Sequence, residues 1–195
     1  MPFWSTNFGE DANLKDPKRK FRFKVEFGGF GADNLFLWWA KTADKPSFTI
    51  AASEHKYLNH TFYYPGSVTW NEVTVALVDP GEPDMAASIS GLIQGGGYHP
   101  PTDPNDVGTM TKATAVSSLG QVTVTQIDAT GGELEKWTLY NAFISDVKYG
   151  DLAYGDDELS EISLTLKYDW AKLDTPNTAG SVATSDSGAK TFWPG

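Results

Sequence analysis

Trp137-Thr138-Leu139-Tyr140-Asn141-Ala142-Phe143-Ile144-Ser145-Asp146-Val147, then Tyr149-Gly150-Asp151-Leu152, then Glu158-Leu159-Ser160-Glu161-Ile162-Ser163-Leu164-Thr165-Leu166-Lys167-Tyr168-Asp169-Trp170 is the stretch that decides the fold. In its last segment Ile162, Leu164, Leu166 and Tyr168 alternate with Ser163, Thr165 and Lys167. That period of two puts one face of a strand in a core and the other in water. Trp137 to Ile144 reads as a preceding strand, and a loop rich in Gly and Asp joins the two.

The same period recurs outward from this stretch. Phe21, Phe23, Val25 and Phe27 alternate with Arg22, Lys24 and Glu26, and a turn at Gly28-Gly29 and Gly31 leads to an apolar return strand, Leu35 to Trp39. Pro46 to Ala51 reads as a strand with Phe48 and Ile50 on one side. Trp70 to Leu77 reads as a long one with Val73, Val75 and Leu77 inward, and Gly120 to Asp128 as another with Val122, Val124 and Ile127. One helix is expected. Met85, Ala86, Ile89, Leu92 and Ile93 fall on one face at a period of 3.6, Glu82 or Asp84 and Pro83 mark its start, and Gly95-Gly96-Gly97 its end. Tyr98 to Lys112, with three prolines, reads as loop. With 195 residues and no repeat, a single domain spans 1–195, with an N-terminal arm at 1–19, a β core at 20–170 and a C-terminal arm at 171–195 tipped by Phe192-Trp193-Pro194.

Ser53 to Ser67 is expected to be a loop. It holds Tyr57, Phe62, Tyr63 and Tyr64 besides His55 and His60, with no period that would bury them in a local core. Such a segment is costly in water unless a partner covers it; the alternative is that the rings fold back over their own domain.

The composition excludes several kinds of chemistry. Lys and Arg number 15 against 25 Asp and Glu, a net charge of −10, which opposes the counterion release that grips nucleic acid. Cysteine is absent, removing disulfides, thiolate metal sites and Cys nucleophiles. The first ten residues carry no basic start with an apolar run, and no stretch approaches the ~18 apolar residues of a membrane span, so a cytosolic product is expected. His55 and His60 sit at i,i+5 with no acidic partner at a ligand interval and read as loop contacts, and His99 stands alone. Asp103 to Gly108 lacks the liganding residues of a calcium loop, and Asp156-Asp157-Glu158 reads as a charged hairpin loop. Gly28-Gly29-Phe30-Gly31 has Asn34 where a dinucleotide motif needs its third glycine. Glu133 and Glu135 would need a cleft to act as a carboxylate pair. Asn59-His60-Thr61 is a glycosylation sequence by letters only. No enzyme, cofactor or metal site is expected.

The Trp-x-Leu-x-Asn-Ala strand from Trp137, the Gly/acid turn and the strand closing on Tyr168-Asp169-Trp170 resemble the tail tube proteins of contractile-tailed, T4-like bacteriophages, whose fold is shared with the inner-tube protein of type VI secretion. Phe21 to Phe27, the Lys41 to Pro46 turn, the long loop, Trp70 to Val75 and a short helix follow in the same order, so the resemblance spans roughly residues 20 to 170. It implies a mainly β (α+β) fold: two packed antiparallel sheets forming a barrel-like tail-tube domain with one short helix. It also implies six-subunit rings stacked into a hollow tube, each subunit lending about four strands to an inner barrel. About 24 strands spaced ~4.7 Å and tilted ~40° give a diameter near ~47 Å and a lumen of ~37 Å, against a duplex roughly 20 Å across.

On this resemblance the partners are further copies, the tail sheath, the baseplate and the tail terminator. DNA passes through the lumen unbound during ejection, no membrane is entered, and the protein is made in the host cytoplasm and resides in the virion tail. The Ser53–Ser67 loop lies where the family has its ring-to-ring loop, which makes Tyr57, Phe62, Tyr63 and Tyr64 the expected inter-ring anchors. A ring would carry 6 × (−10) = −60 formal charges, and Glu26, Glu72, Asp128 and Glu161 are candidates for a lumen wall without phosphate traps; the alternative for each is an outer solvated face. A baseplate protein that initiates the tube shares the fold. From another class, an aromatic-rich β-sandwich would bind carbohydrate through Trp38, Trp39 or Tyr63.

Overall fold

A computed structural model describes residues 18–29, 39–82, 84–102, 108–155, 157–175 and 190–191. Leu35 to Trp38 of the strand expected at Leu35 to Trp39, Gly31, Pro83, Asp103 to Val107 of the turn expected at Asp103 to Gly108, Asp156 and most of both arms lie outside the described residues.

The alternating segments form two antiparallel sheets packed face to face. The first runs β1 (Phe23–Phe27), β6 (Val122–Ile127), β7 (Glu133–Tyr140), β10 (Trp170–Thr175) and β11 (Lys190–Thr191), in that order. The second runs β2 (Ala40–Ala43), β5 (Val73–Val78), β9 (Glu161–Lys167) and β8 (Phe143–Lys148). Val25, Phe27, Val122, Val124 and Leu139 from the first meet Val73, Val75, Leu77, Ile162, Leu164 and Leu166 from the second, all buried. The alternation works because each strand gives every second side chain to this shared core. No closed barrel forms among the described residues, so the barrel-like expectation is corrected to two packed sheets and a third, two-stranded one.

That third sheet is β3 (Phe48–Tyr57) paired with β4 (His60–Trp70). It occupies the segment expected to be loop, and it also breaks the strand read across Trp70 to Leu77 at Asn71-Glu72. Two helices close one end of the sandwich where one was expected. In α1 (Met85–Gly95) Asp84 caps the N-terminus by accepting from the Ala87 amide, and Met85 and Ile89 are buried. In α2 (Lys112–Leu119) Thr111 and Thr114 cap each other reciprocally, and Ala115 and Leu119 are buried. The Ser118 hydroxyl donates to the Leu92 carbonyl and that of Thr114 to Gly96, pinning α2 to α1.

The motif residues turn out to be sheet-crossing corners. The segment from Trp137 to Ile144 is not one strand: it breaks at Asn141, which sits at φ 55, so β7 belongs to the first sheet and β8 to the second. β9 and β10 cross back at Tyr168-Asp169. The corners lock together. Asp169 accepts from Asn141 Nδ2 at 2.8 Å and from Lys112 Nζ at 2.6 Å, its amide donates to the Tyr140 carbonyl, and Tyr140 stacks on Trp170 at 5.5 Å. An asparagine suits the first corner because its short amide tolerates a left-handed backbone. β10 also carries the folded body past the expected core boundary at 170, to Thr175.

Candidate functional site

β3 and β4 continue β2 and β5 beyond the sandwich as a long ribbon. Every residue from Phe48 to Thr69 is exposed. Its ten-residue strand carries the tip about 33 Å from its base at ~3.3 Å per residue. Phe48 packs on Trp70 at 5.0 Å and Trp70 on Tyr168 at 5.8 Å, so the ribbon is rooted in the second sheet-crossing corner. Burial pushes the Tyr168 hydroxyl up to about 12; it lies near the Ser47 backbone without completing a hydrogen bond of normal geometry. Asn71 holds the two strand roots together, its amide donating to the Ser47 carbonyl at 2.9 Å and its side chain to the Ser47 hydroxyl at 3.0 Å.

The register assigns the faces. Beyond a bulge between Ile50 and Ala52, the pairs Ser53–Tyr64, His55–Phe62 and Tyr57–His60 share one face, and Glu54–Tyr63 and Lys56–Thr61 share the other. Tyr57, Phe62 and Tyr64 therefore form one aromatic face together with both histidines, and Tyr63 stands on the opposite, charged face. All four rings are at least half exposed, not folded back on the domain. At Leu58-Asn59 the chain reverses in two residues, with Leu58 at φ 53 and 87% exposed. A two-stranded ribbon with neither face packed is marginal in water on its own.

The base of the ribbon is also tied electrostatically. Glu135, nearly buried, accepts from Lys18, from Lys45 Nζ at 3.0 Å and from Trp137 Nε1 at 2.6 Å. Burial opposes its ionisation, but these three donors outweigh it and hold the carboxyl down to about 2. In an unfolded chain it would protonate near 4.5. Its stabilisation is thus complete above about pH 4.5 and lost as pH falls toward about 2. Glu135→Gln is expected to flatten the pH dependence of unfolding free energy across that window, measured by denaturant titration at a series of pH values. An unchanged slope would mean that Glu135 is not the titrating anchor. A bulge between Gln126 and Ile127 turns Glu133 the other way, onto Lys24 at 3.0 Å, so the two glutamates make no catalytic pair.

The four acidic residues expected near a lumen do not all share one face. Glu26 lies on the outward face of the first sheet, 3.3 Å from Lys24 and accepting from Thr123. Asp128 caps the β6–β7 turn through the Thr130 and Gly132 amides; hydrogen bonds from Thr130, chiefly its hydroxyl, and from Gly132 hold its carboxyl below the usual range. Glu72 and Glu161 lie on the outward face of the second sheet, paired with Lys167 at 2.9 Å and with Lys41. Trp39 packs against the core, and Trp38 lies outside the described residues. Among the described residues no three His, Asp or Glu side chains gather as a metal site, and no helix is long and apolar enough to cross a membrane.

No family model and no curated protein matches the sequence. Solved structures do match. A chain from the sheath/tube terminator of PVC, an extracellular contractile injection system, aligns with a TM-score of 0.58 over 82% of this chain and 98% of that one, at 15% identity. A chain from the PVC sheath–tube complex aligns at 0.56 over 83% and 94%, at 16% identity. A chain from the six-fold symmetrised baseplate of the anti-feeding prophage aligns at 0.57 over 82% and 97%, at 14% identity. The chain has the tail-tube fold. The motif that carried the resemblance is, within the tail-tube fold, the double corner at Asn141 and Asp169. What the sequence did not reveal is Leu58; the available signal was a Leu-Asn pair in a two-residue reversal, where glycine or asparagine is the usual occupant.

Proposed function

We propose that the chain is the subunit of a phage tail tube, six copies closing a ring and rings stacking into a hollow conduit for DNA. The observation that carries this reading is the ribbon: ten- and eleven-residue strands, exposed on both faces and bearing four rings, require cover that the described residues do not supply. Such rings offer about 150–250 Å² each, so the ribbon brings area on the scale of one side of a standard interface, roughly 800 Å². The second sheet has the four strands per subunit that a ring of about 24 requires, and among the described residues its two edge strands, β2 and β8, have no outer neighbour.

On this reading the outward face of the second sheet is the lumen wall. Small side chains of Thr74, Ala76, Ser163 and Thr165 line it, and its lysines are matched by carboxylates: Lys41 by Glu161, Lys167 by Glu72 and, more loosely, Lys148 by Asp146. A lysine engaged by a carboxylate is a poor trap for passing phosphate. Glu72→Lys would release Lys167 and add a second cation in each of six subunits. It is expected to slow DNA ejection in a salt-dependent way while tubes assemble normally; unchanged ejection kinetics would place Glu72 away from the lumen.

A ring that starts or ends a tube is the second reading, since chains from baseplate and terminator assemblies match with TM-scores equal to that of the sheath–tube chain within 0.02. Sedimentation over a concentration series tests self-assembly. A cooperative step from the 21.3 kDa monomer to 6 × 21.3 ≈ 128 kDa is expected, followed by larger species for a tube subunit and by none for an initiator or terminator. A monomer or dimer at all concentrations, with a tail baseplate present as seed, would count against both.

A further inference from the structure

The sandwich has an open mouth between the inner face of its first sheet and β2, a cleft of about 800 Å³. Phe21, Phe23, Val124 and Trp137 give it an apolar floor, and Phe21 is 74% exposed. The rim offers little to an anion. Lys18 and Lys45 are engaged by Glu135 and Lys41 by Glu161, and Asp44 stands among them, so the surplus among the described residues is the single charge of Lys20. What the floor lacks is apolar cover.

β11 leads a segment of the same chain to this place. It lies on β10 by two rungs, Thr191 opposite Asp174 and Lys190 opposite Thr175. In that register residue 192 falls opposite Leu173; Leu173 is opposite Trp137, and Trp137 opposite Val124. Residues in one row share a face, here the inner one, and this row ends on two residues of the cleft floor. At ~4.8 Å between strands, position 192 stands about 10 Å from Trp137. The residues that follow β11 are Phe192 and Trp193, outside the described part of the chain.

We propose that Phe192-Trp193 covers the floor of this cleft in its own chain, with Phe192 seated on Leu173 and Trp137, and that this latch holds β11 in place. Two rungs are fewer than an ordinary strand carries, so β11 needs an anchor beyond its hydrogen bonds. The latch has a consequence for association. A bare β10 edge would be a template for pairing with other chains, and a held β11 closes it. The latch belongs to the single chain and stands or falls independently of the tube reading.

The chain has no cysteine, so placed thiols report the seat without background. Thr42 lines the cleft, and Pro194 follows the aromatic pair without belonging to it. The full-length double variant Thr42→Cys/Pro194→Cys, treated at low concentration with a short bis-maleimide, is expected to link within one chain at a rate independent of protein concentration. Leu152→Cys/Pro194→Cys, with its first thiol on the exposed β8–β9 loop, should not link. Phe192→Ser should lower the thermal midpoint by roughly 3–6 °C and speed amide exchange along β10, whereas Phe192→Leu keeps most of both. Links that form only between chains overturn the seat in favour of a second copy. Equal linking by both pairs, or no link together with Phe192→Ser melting like the parent, overturns it and leaves the floor to another occupant, such as the aromatics of the N-terminal arm.

Discussion

Replacing Tyr57, Phe62 and Tyr64 together by serine is expected to abolish self-assembly while leaving the subunit folded. The three rings share one face of the β3–β4 ribbon and touch no core, so the monomer has little to lose. Exposed substitutions of this kind change stability by about 0.5 kcal/mol or less, a shift of roughly 1–2 °C in a chain of this size. In an interface each ring is a potential anchor whose truncation costs about 2 kcal/mol or more, so losing three weakens association by more than ~1,000-fold even if the costs fail to add. Sedimentation and thermal melting on the same samples separate the two effects. Tyr63→Ser, on the opposite face, should weaken assembly less. If it proves the more damaging change, the charged face of the ribbon is the one in contact.

Gly120→Ala is expected to destabilise the subunit by about 3 kcal/mol or more, which corresponds to a fall of roughly 6–12 °C in thermal midpoint. Two penalties coincide there. Gly120 ends α2 at φ 68, where an L side chain is strained by about 1–2 kcal/mol. A Cβ would also lie 2.6 Å from the Gly29 amide nitrogen and 2.7 Å from the Gly28 carbonyl carbon, both rigid backbone atoms. The end of β1 crosses the α2–β6 junction this closely because neither chain carries a side chain at the crossing, and the Gly28 amide donates to the Gln121 carbonyl across it. Gly131→Ala is the matched control. Its φ of 87 imposes similar strain, but nothing lies within 4 Å of the added carbon. It should cost only the strain, and equal losses at the two positions would show that the crossing is looser than its geometry implies.

The sandwich was legible where strands divide their side chains between core and water. Phe23 to Phe27, Val73 to Leu77, Val122 to Val124 and Ile162 to Leu166 alternate in sequence because they alternate in burial. The ribbon was not legible as strands for the same reason. It buries neither face, so nothing constrains its polarity to a period of two, and only the cost of its exposed rings was visible. α2 was hidden because Lys112 to Leu119 buries two side chains against the sandwich and shows little amphipathic pattern, and its capping pair is Thr111 and Thr114, without the glutamate that usually completes such a box. The break at Asn141 was masked by apolar residues on both sides, since β7 and β8 each need them for a different sheet.

The candidate site was legible in part for equally physical reasons. Which rings share a face depends on register and on a bulge between Ile50 and Ala52, neither of which is written in the residues alone. Where the acidic candidates lie is set by non-local pairing. Glu72 meets Lys167 and Glu161 meets Lys41 across the same outward face, and Asp128 is consumed by its own turn.

Negative-stain electron microscopy of the purified full-length chain over a concentration series tests the central claim most directly. Hollow six-fold rings with a lumen near ~37 Å, stacking into tubes as concentration rises or when a baseplate is supplied, are the expected result. A monomer that persists at every concentration and stays monomeric with a baseplate present would contradict the tube assignment.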